Sequence, residues 1–391
     1  MLAVAALLGG CASGAAQPRE TAISTTSPSP TPTCTPADLE QRAAAVLVVG
    51  IPEVTTADDP LAQTVADLGV GGIFVSKASV ESAEQLAALI SGIRQRAGRP
   101  LLVSTDEESG RVAMTSEIVG AGPSPRRLAG ERSPEQVRAF AGELGSRLTD
   151  VGIDLDLAPL LDLDAGPSRG IIGDRSFSAD PETATEYGLA FSAGLLDAGV
   201  TPVVKHFPGH GRSTVDTHAE SEVVEATLEE LETTDLLPFQ RAIDAGAPVV
   251  MLNHLGYRAL DPDLPATMSP KAYAQLRDMG FEGVAMTDSI GMGPVNLRWD
   301  FPEAAVRAVE AGADAVLATD GNQTQRMVDA LVEAVRSGRL PEERLDEAAA
   351  RVTALAGGDP VAMSCLPVEL PVLRPTAGAT ATAAPDATPT R

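Results

Sequence analysis

All four histidines of this chain stand at informative positions. His206, His210 and His218 fall in Lys205-His206-Phe207-Pro208-Gly209-His210-Gly211 and the following Asp216-Thr217-His218, and His254 closes an apolar run. Histidine trades protons near neutral pH more readily than any other side chain, so this concentration points to acid/base chemistry. Lysine is scarce, with only Lys77, Lys205 and Lys271, and Lys205 lies against His206. Asp288, in Ala285-Met286-Thr287-Asp288-Ser289, follows a buried-type strand. A carboxylate there can attack an electrophilic carbon or stabilise a cation, and it can equally cap a helix.

Asp216 and His218 are separated by one residue on an expected loop. The carboxylate can orient the imidazole and raise its pKa, which makes a proton donor; a solvated turn has the same pattern. Glycosidases generally pair a nucleophilic carboxylate with a second carboxyl group as acid/base, and Asp288 with the Asp216–His218 pair can do that work with histidine as donor. A competing scheme makes His206, His210, Asp216, His218 and His254 ligands of a zinc-bound water, but their spacing fits no common zinc signature. No metal and no cofactor is expected.

Short apolar runs must hold these residues in place: Ala43–Gly50, Gly71–Val75, Pro100–Asp106, Ile153–Leu161, Thr201–His206, Ala247–His254, Gly283–Asp288 and Ala313–Thr319. Between or after them lie amphipathic stretches at Ser82–Ala97, Pro134–Val151, Glu182–Ala198, Leu228–Ala245, Pro270–Met279, Phe301–Ala311, Gln323–Ser337 and Glu342–Leu355. Eight near-continuous strands alternating with helices predict a single (β/α)8 TIM-type barrel. Chemistry should then gather at the C-terminal ends of the strands. Those ends carry Asp106-Glu107-Glu108, Asp156 with Asp162, Lys205-His206, Asn253-His254, Asp288 and Thr319-Asp320. An open doubly wound sheet fits less well, since no Gly-rich phosphate loop opens a helix.

The net charge of −25 argues against a nucleic-acid partner, and 3% aromatic residues leave few stacking platforms. Residues 1–11 end in Leu8-Gly9-Gly10-Cys11, which resembles a bacterial lipoprotein box with Cys11 as the lipidated residue, although the usual positive flank is missing. The stretch is too short to span a bilayer. An exported lipoprotein is therefore expected, anchored at the cell envelope and touching the membrane only through lipid. Residues 12–36 form a Ser/Thr/Pro-rich linker, residues 37–365 the barrel domain, and residues 366–391 a low-complexity tail. An oxidising compartment permits a Cys34–Cys365 disulfide clamping the ends of the domain, with unpaired thiols as the alternative. A closure that long contributes ~4 kcal/mol in the chain-entropy model. A monomer is expected.

From about Asp38 to Gly357 the chain resembles glycoside hydrolase family 3, in its bacterial β-N-acetylglucosaminidase branch. The matching stretches are Gly69-Val70-Gly71-Gly72-Ile73, Ser104 to Val112, Gly152 to Pro159, Gly173-Asp174-Arg175-Ser176-Phe177, Pro265-Ala266-Thr267-Met268-Ser269 and, most specifically, Lys205–Gly211 with Asp216-Thr217-His218. The resemblance implies a retaining mechanism through a covalent glycosyl-enzyme, with Asp288 as nucleophile, His218 as general acid/base and Asp216 as its partner. It implies that Asp106, Arg175, Lys205 and His206 grip sugar hydroxyls, and that His254, at a family position after a strand, is a further substrate-binding residue. The implied substrate carries terminal β-linked N-acetylglucosamine, with peptidoglycan fragments the natural source. β-Glucosidase, β-xylosidase or phosphorylase activity in the same family, and a non-catalytic sugar-binding lipoprotein, are the alternatives. Two departures stand out: Ser109 replaces a glycine before Gly110-Arg111, and Ser289-Ile290-Gly291-Met292 replaces a more usual acidic-Leu-Ser-Met run. Only a Thr/Ala/Pro tail follows Gly357, so barrel loops alone are expected to complete the site.

Overall fold

A computed structural model describes residues 34–213 and 222–374, and every element below lies in the unit Thr35–Arg391. Asp216, His218 and Cys11 fall outside the described residues.

Eight strands form the barrel: β1 (Leu47–Gly50), β2 (Gly72–Phe74), β3 (Leu102–Thr105), β4 (Leu155–Asp156), β5 (Thr201–Phe207), β6 (Val249–Leu252), β7 (Val284–Thr287) and β8 (Val316–Ala318). Each pairs in parallel with its chain neighbour from β1 through β7, and β8 pairs with β1. A parallel bridge between Met286 and Ala315 joins β7 to the start of β8 and closes the ring. The amide of Thr287 donates to the Ala315 carbonyl at 3.0 Å across the same seam.

Side-chain alternation sorts the core into two layers. Val48, Phe74, Leu102, Val203, Val249, Met251, Val284, Met286 and Leu317 form one buried cluster. Their neighbours Leu47, Val49, Val103, Val204, Val250 and Ala285 join the larger cluster shared with the helices. Burying each aliphatic side chain of this size is worth ~1.5–3 kcal/mol.

The outer ring comprises α1 (Pro60–Leu68), α2 (Ala83–Ala97), α3 (Pro134–Asp150), α4 (Pro181–Asp197), α5 (Leu236–Asp244), α6 (Pro270–Asp278), α7 (Phe301–Ala311) and α8 (Thr324–Arg336). The starts are written in the sequence. Asp59, Ser82, Ser133, Asp180, Ser269 and Asp300 each accept an N–H of the first turn. A proline occupies the first turn of α1, α3, α4, α6 and α7, where its missing N–H costs nothing. A further helix, Glu342–Leu355, follows α8. Among the described residues, no helix is long and apolar enough to cross a membrane.

Several elements differ from the sequence expectation, among them the short helix Pro125–Glu131, which no expected stretch covers. Ala43–Ala45 belong to a helix, Leu39–Ala45, that Asp38 caps, so only the second half of the first apolar run is strand. The run Ile153–Leu161 keeps only Leu155–Asp156 as strand, because Pro159 has no N–H to offer a ladder. The expected helix Leu228–Ala245 is two, Leu228–Thr233 and α5. Pro238 cannot donate to the Thr234 carbonyl, so a new helix begins with the proline in its first turn. Helix α1 was not anticipated. Cys34 and Cys365 are each disulfide-bonded.

Helices α3 and α4 approach closely at Gly194, where an added Cβ would lie 2.2 Å from the Arg138 carbonyl oxygen and 2.7 Å from the Ala141 Cβ. Glycine within a helix costs ~0.5–1 kcal/mol against alanine, yet this contact leaves no room for the methyl group. Gly194→Ala should therefore destabilise the barrel by ~1–3 kcal/mol in urea unfolding, with kcat and KM retained. Equal or greater stability would show that the two helices have space between them.

Candidate active site

Chemistry-bearing side chains gather at the C-terminal ends of the strands. Strand β3 runs into Asp106 and then a short antiparallel ribbon, Glu107–Ser109 with Val112–Ala113. Strand β5 carries Lys205 and His206, β6 runs into Asn253 and His254, and β7 into Asp288. Arg175 ends a 3-10 turn, Gly173–Arg175, in the long connection after β4.

The centre is an ion network. Lys205 Nζ donates to Asp106 Oδ1 at 2.6 Å and to Glu108 Oε1 at 2.7 Å. Arg175 makes a bidentate pair with Glu108 at 2.7 and 2.6 Å. Burial alone would raise the Glu108 pKa, but Arg175 and Lys205 outweigh it and pull the carboxyl down to about 2. Burial would lower Lys205 and Arg175, but Asp106 and Glu108 hold both above their ordinary values. Asp106 and Arg175 keep 22% and 15% of their side chains exposed. They form an accessible rim of acceptor and donor groups over a closed ionic base, which suits hydroxyl recognition.

A second network holds His206. Asp162 Oδ2 lies 2.6 Å from His206 Nδ1, and Asp162 Oδ1 accepts the amides of His206 at 3.1 Å and His210 at 2.7 Å. Burial would raise the Asp162 pKa, but His206 and His210 lower it, and the carboxylate anchors the His206 ring through Nδ1. Burial takes His210 down to about 4, so its ring is neutral at physiological pH. Asn253 Nδ2 donates to the His206 carbonyl at 3.0 Å and to Tyr257 Oη at 2.7 Å, while Tyr257 donates to the Gly209 carbonyl at 2.7 Å. Ser213 Oγ donates to Glu222 Oε2 at 2.6 Å, so the described residues on either side of the segment carrying Asp216 and His218 meet at its base.

Asp288 is partly exposed, and its Oδ1 accepts the Ser289 amide at 2.7 Å. Its surroundings would raise its pKa by burial, but His254, His206, the Ser289 N–H and Lys205 prevail and lower it. An ionised, partly open carboxylate facing basic groups can act as a nucleophile. His254 is placed differently from the other expected sugar contacts. Its Nδ1 lies 2.7 Å from Thr267 Oγ1, and its Nε2 donates to the Ser289 carbonyl at 2.8 Å. Both nitrogens engage protein, and the ring braces the backbone immediately after Asp288.

The neighbouring acids are committed elsewhere. Glu107 Oε2 accepts the Thr115 amide at 2.8 Å and its hydroxyl at 2.6 Å, and burial raises its pKa. Asp156 accepts the Glu107 amide at 2.9 Å and is raised well above its ordinary value by burial. Among the described residues, its Oδ2 has no hydrogen-bond partner. Sequence reasoning gave no role to Glu108, although Asp106 and Glu108 are two apart and an extended segment turns such residues to one side. Asp162 as the anchor of His206 left no sequence signal. The two departures have local explanations. Ser109 takes a left-handed φ of 69° and donates to the Pro123 carbonyl at 2.7 Å. At Gly291 a Cβ would press on the Phe301 ring at 3.0 Å. Among the described residues, no group of three His, Cys, Asp or Glu side chains is arranged to hold a metal ion.

The model for the glycosyl hydrolase family 3 N terminal domain matches residues 39–355. The chain is 36% identical over 329 residues to the beta-hexosaminidase LpqI of Mycobacterium tuberculosis, covering 82% of this chain and 83% of that protein. A beta-hexosaminidase of Alkalilimnicola ehrlichii is 38% identical over 256 residues, covering 63% of this chain and 73% of its own. The solved structure of M. tuberculosis LpqI superposes with a TM-score of 0.77 at 36% identity, covering 84% of this chain and 98% of that one. A glycoside hydrolase family 3 β-N-acetylglucosaminidase from Paenibacillus sp. str. FPU-7 gives 0.77 at 33% identity, covering 85% and 65%.

His254→Ala should lower kcat ~10- to 100-fold with KM near the wild-type value, because it loosens the backbone that sets the position of the Asp288 carboxylate. Thr267→Val should show a weaker version of the same change. A raised KM with unchanged kcat would make His254 a sugar ligand instead.

Proposed function

Because the chain belongs to glycosyl hydrolase family 3, we propose that it removes terminal β-linked N-acetylglucosamine with retention of configuration, through a covalent glycosyl-enzyme. The observation that carries this reading is Asp288: a carboxylate at the end of β7, partly exposed, with a pKa lowered by the basic groups around it. One Asp288 oxygen attacks the anomeric carbon as the glycosidic bond breaks, and the leaving oxygen takes the proton of His218, which Asp216 orients. Water then attacks the same carbon, His218 takes its proton, and the ester to Asp288 breaks to release the sugar. Asp106, Arg175, Lys205 and His206 hold the ring hydroxyls. Proteins named beta-hexosaminidase and β-N-acetylglucosaminidase among its relatives support the choice of sugar.

The wider setting belongs to the same proposal. Residues 37–365 form the catalytic unit, residues 12–36 a tether and residues 366–391 a tail. Cys11 carries lipid and holds the exported enzyme at the cell envelope, where peptidoglycan-derived fragments supply the substrate. The Leu8-Gly9-Gly10-Cys11 sequence supports this placement.

Purified protein should hydrolyse nitrophenyl N-acetyl-β-glucosaminide in preference to the corresponding glucoside and xyloside. Asp288→Asn should lose nearly all of that turnover while keeping the fold, and a fluorinated sugar should label Asp288 in peptide mapping. A label on Asp162 or Asp320, or a preference for glucoside, would overturn the assignment.

His218→Ala should depress turnover of substrates with poor leaving groups far more than of nitrophenyl glycosides, which depart without protonation. Asp216→Ala should show the same selectivity more mildly. Equal losses across leaving groups would make His218 a binding residue.

A further inference from the structure

Asp314 lies just before β8, at the end of the barrel opposite Asp288. It is fully buried, and three guanidinium groups converge on it. Arg277 Nη2 reaches Oδ2 at 2.6 Å, Arg344 Nη2 reaches Oδ1 at 2.5 Å, and Arg351 Nη1 reaches Oδ1 at 3.2 Å. The Ala285 amide also donates to Oδ2, at 3.0 Å. Glu347 is the other acid at this place, 2.8 Å from Arg344 and 3.8 Å from Arg351. Three arginines against two carboxylates leave a positive charge in excess, within a chain whose net charge is −25.

Asp314 and Glu347 together carry two negative charges, so the three arginines exceed charge neutrality at this place by one. Their excess borders space. A cleft of about 340 Å³ is lined by these three arginines and Glu347, with Tyr273, Ala274 and Gly312 beside them. That volume lies at the small end of ligand pockets, which run ~300–1,000 Å³. Among the described residues, Arg344 Nε is buried without a hydrogen-bond partner, and both ion-pair contacts of Arg351 run through Nη1. Burial lowers the Arg277 pKa, and the repulsion of Arg351 and Arg344 adds to that against the pull of Asp314. An anion entering the cleft would relieve that repulsion.

We propose that this cleft binds a phosphate group, free or at the end of a small monoester, through the guanidinium edges that Asp314 and Glu347 leave unneutralised. Arg351 is the principal contact, since it has the longest bond to Asp314 and is the most readily turned toward a ligand. The site lies away from the glycosidase chemistry and does not rest on that assignment.

The test is thermal unfolding of the full chain in rising inorganic phosphate or glycerol 3-phosphate, with sodium chloride adjusted to hold ionic strength constant. The wild type should show a saturable rise in Tm on the order of 2 °C or more. Arg351→Gln keeps Arg277 and Arg344 on Asp314 and should lose the rise or shift its midpoint at least ~10-fold, as expected for loss of a charge-assisted contact. Ala274→Glu is a second variant, on the exposed surface of α6, that places a carboxylate at the cleft while sparing Asp314; it should lose the response as well. Saturation at lower glycerol 3-phosphate than inorganic phosphate identifies a monoester as the ligand, and the reverse order identifies the free ion. No saturable rise in the wild type, or an equal rise in both variants, would overturn the proposal and leave the arginines as structural partners of Asp314.

Discussion

Glu108 is the group on which the mouth of this barrel depends. Lys205 is withdrawn from water and Arg175 only reaches it at its edge, and a buried cation is tolerable only against a well-placed anion. Glu108 meets both, so it ties β5, the turn after β4 and the ribbon after β3 at one point. Removing one member of such a buried set costs ~3–5 kcal/mol, because the others are left uncompensated. Asp106 takes its position from the same Lys205 ammonium. The rim thus inherits its geometry from an ionic base that solvent does not reach.

Acids of similar chemistry end in different charge states here, and environment decides which. Glu108, Asp162 and Asp288 are all lowered despite burial, because cations, histidines or backbone N–H groups face them. Glu107 and Asp156 lie close by but face one another and hydroxyl or amide donors, so burial prevails and their pKa values rise. A nucleophile must be ionised and open, while a structural acid can be neutral and closed. Asp288 meets the first condition, and the raised Asp156 carboxyl the second.

The barrel was legible because each strand is a short buried run and six of the eight outer helices begin with a capping residue, most of them before a proline. What escaped the reading was local. Pro159 and Pro238 interrupt apolar patterns that continue through them, so strand β4 is shorter and helix α5 starts later than hydrophobic periodicity suggests. At the site, single residues such as Asp106, Lys205 and His206 were legible from type and placement. Their partners were not, since the Asp162–His206 and Arg175–Glu108 contacts join residues 44 and 67 positions apart. Such pairings depend on how the barrel closes, and no spacing along the chain encodes them. For the same reason His254 reads as a sugar contact in sequence, whereas its two nitrogens reach Thr267 and Ser289.

A barrel with separate ends can bear opposite demands. At the end where strands finish, loops must leave groups open to substrate, and the residues beneath them carry the constraint. The connection from β5 shows how this is met. Asp162, Asn253 and Tyr257 fix its backbone from His206 to His210, and the Glu222 carbonyl accepts the Gly256 amide where the chain returns beside Gly256–Tyr257. Both roots of the segment that holds Asp216 and His218 are thereby tied to β5 and to the connection that follows β6. The described roots of that segment take their reference frame from Asp162 and Asn253, while the Asp288 carboxylate takes its own from Ser289 and, through the Ser289 backbone, from His254. The segment's roots and Asp288 are thus held by different supports, so loss of one support should leave the other in place.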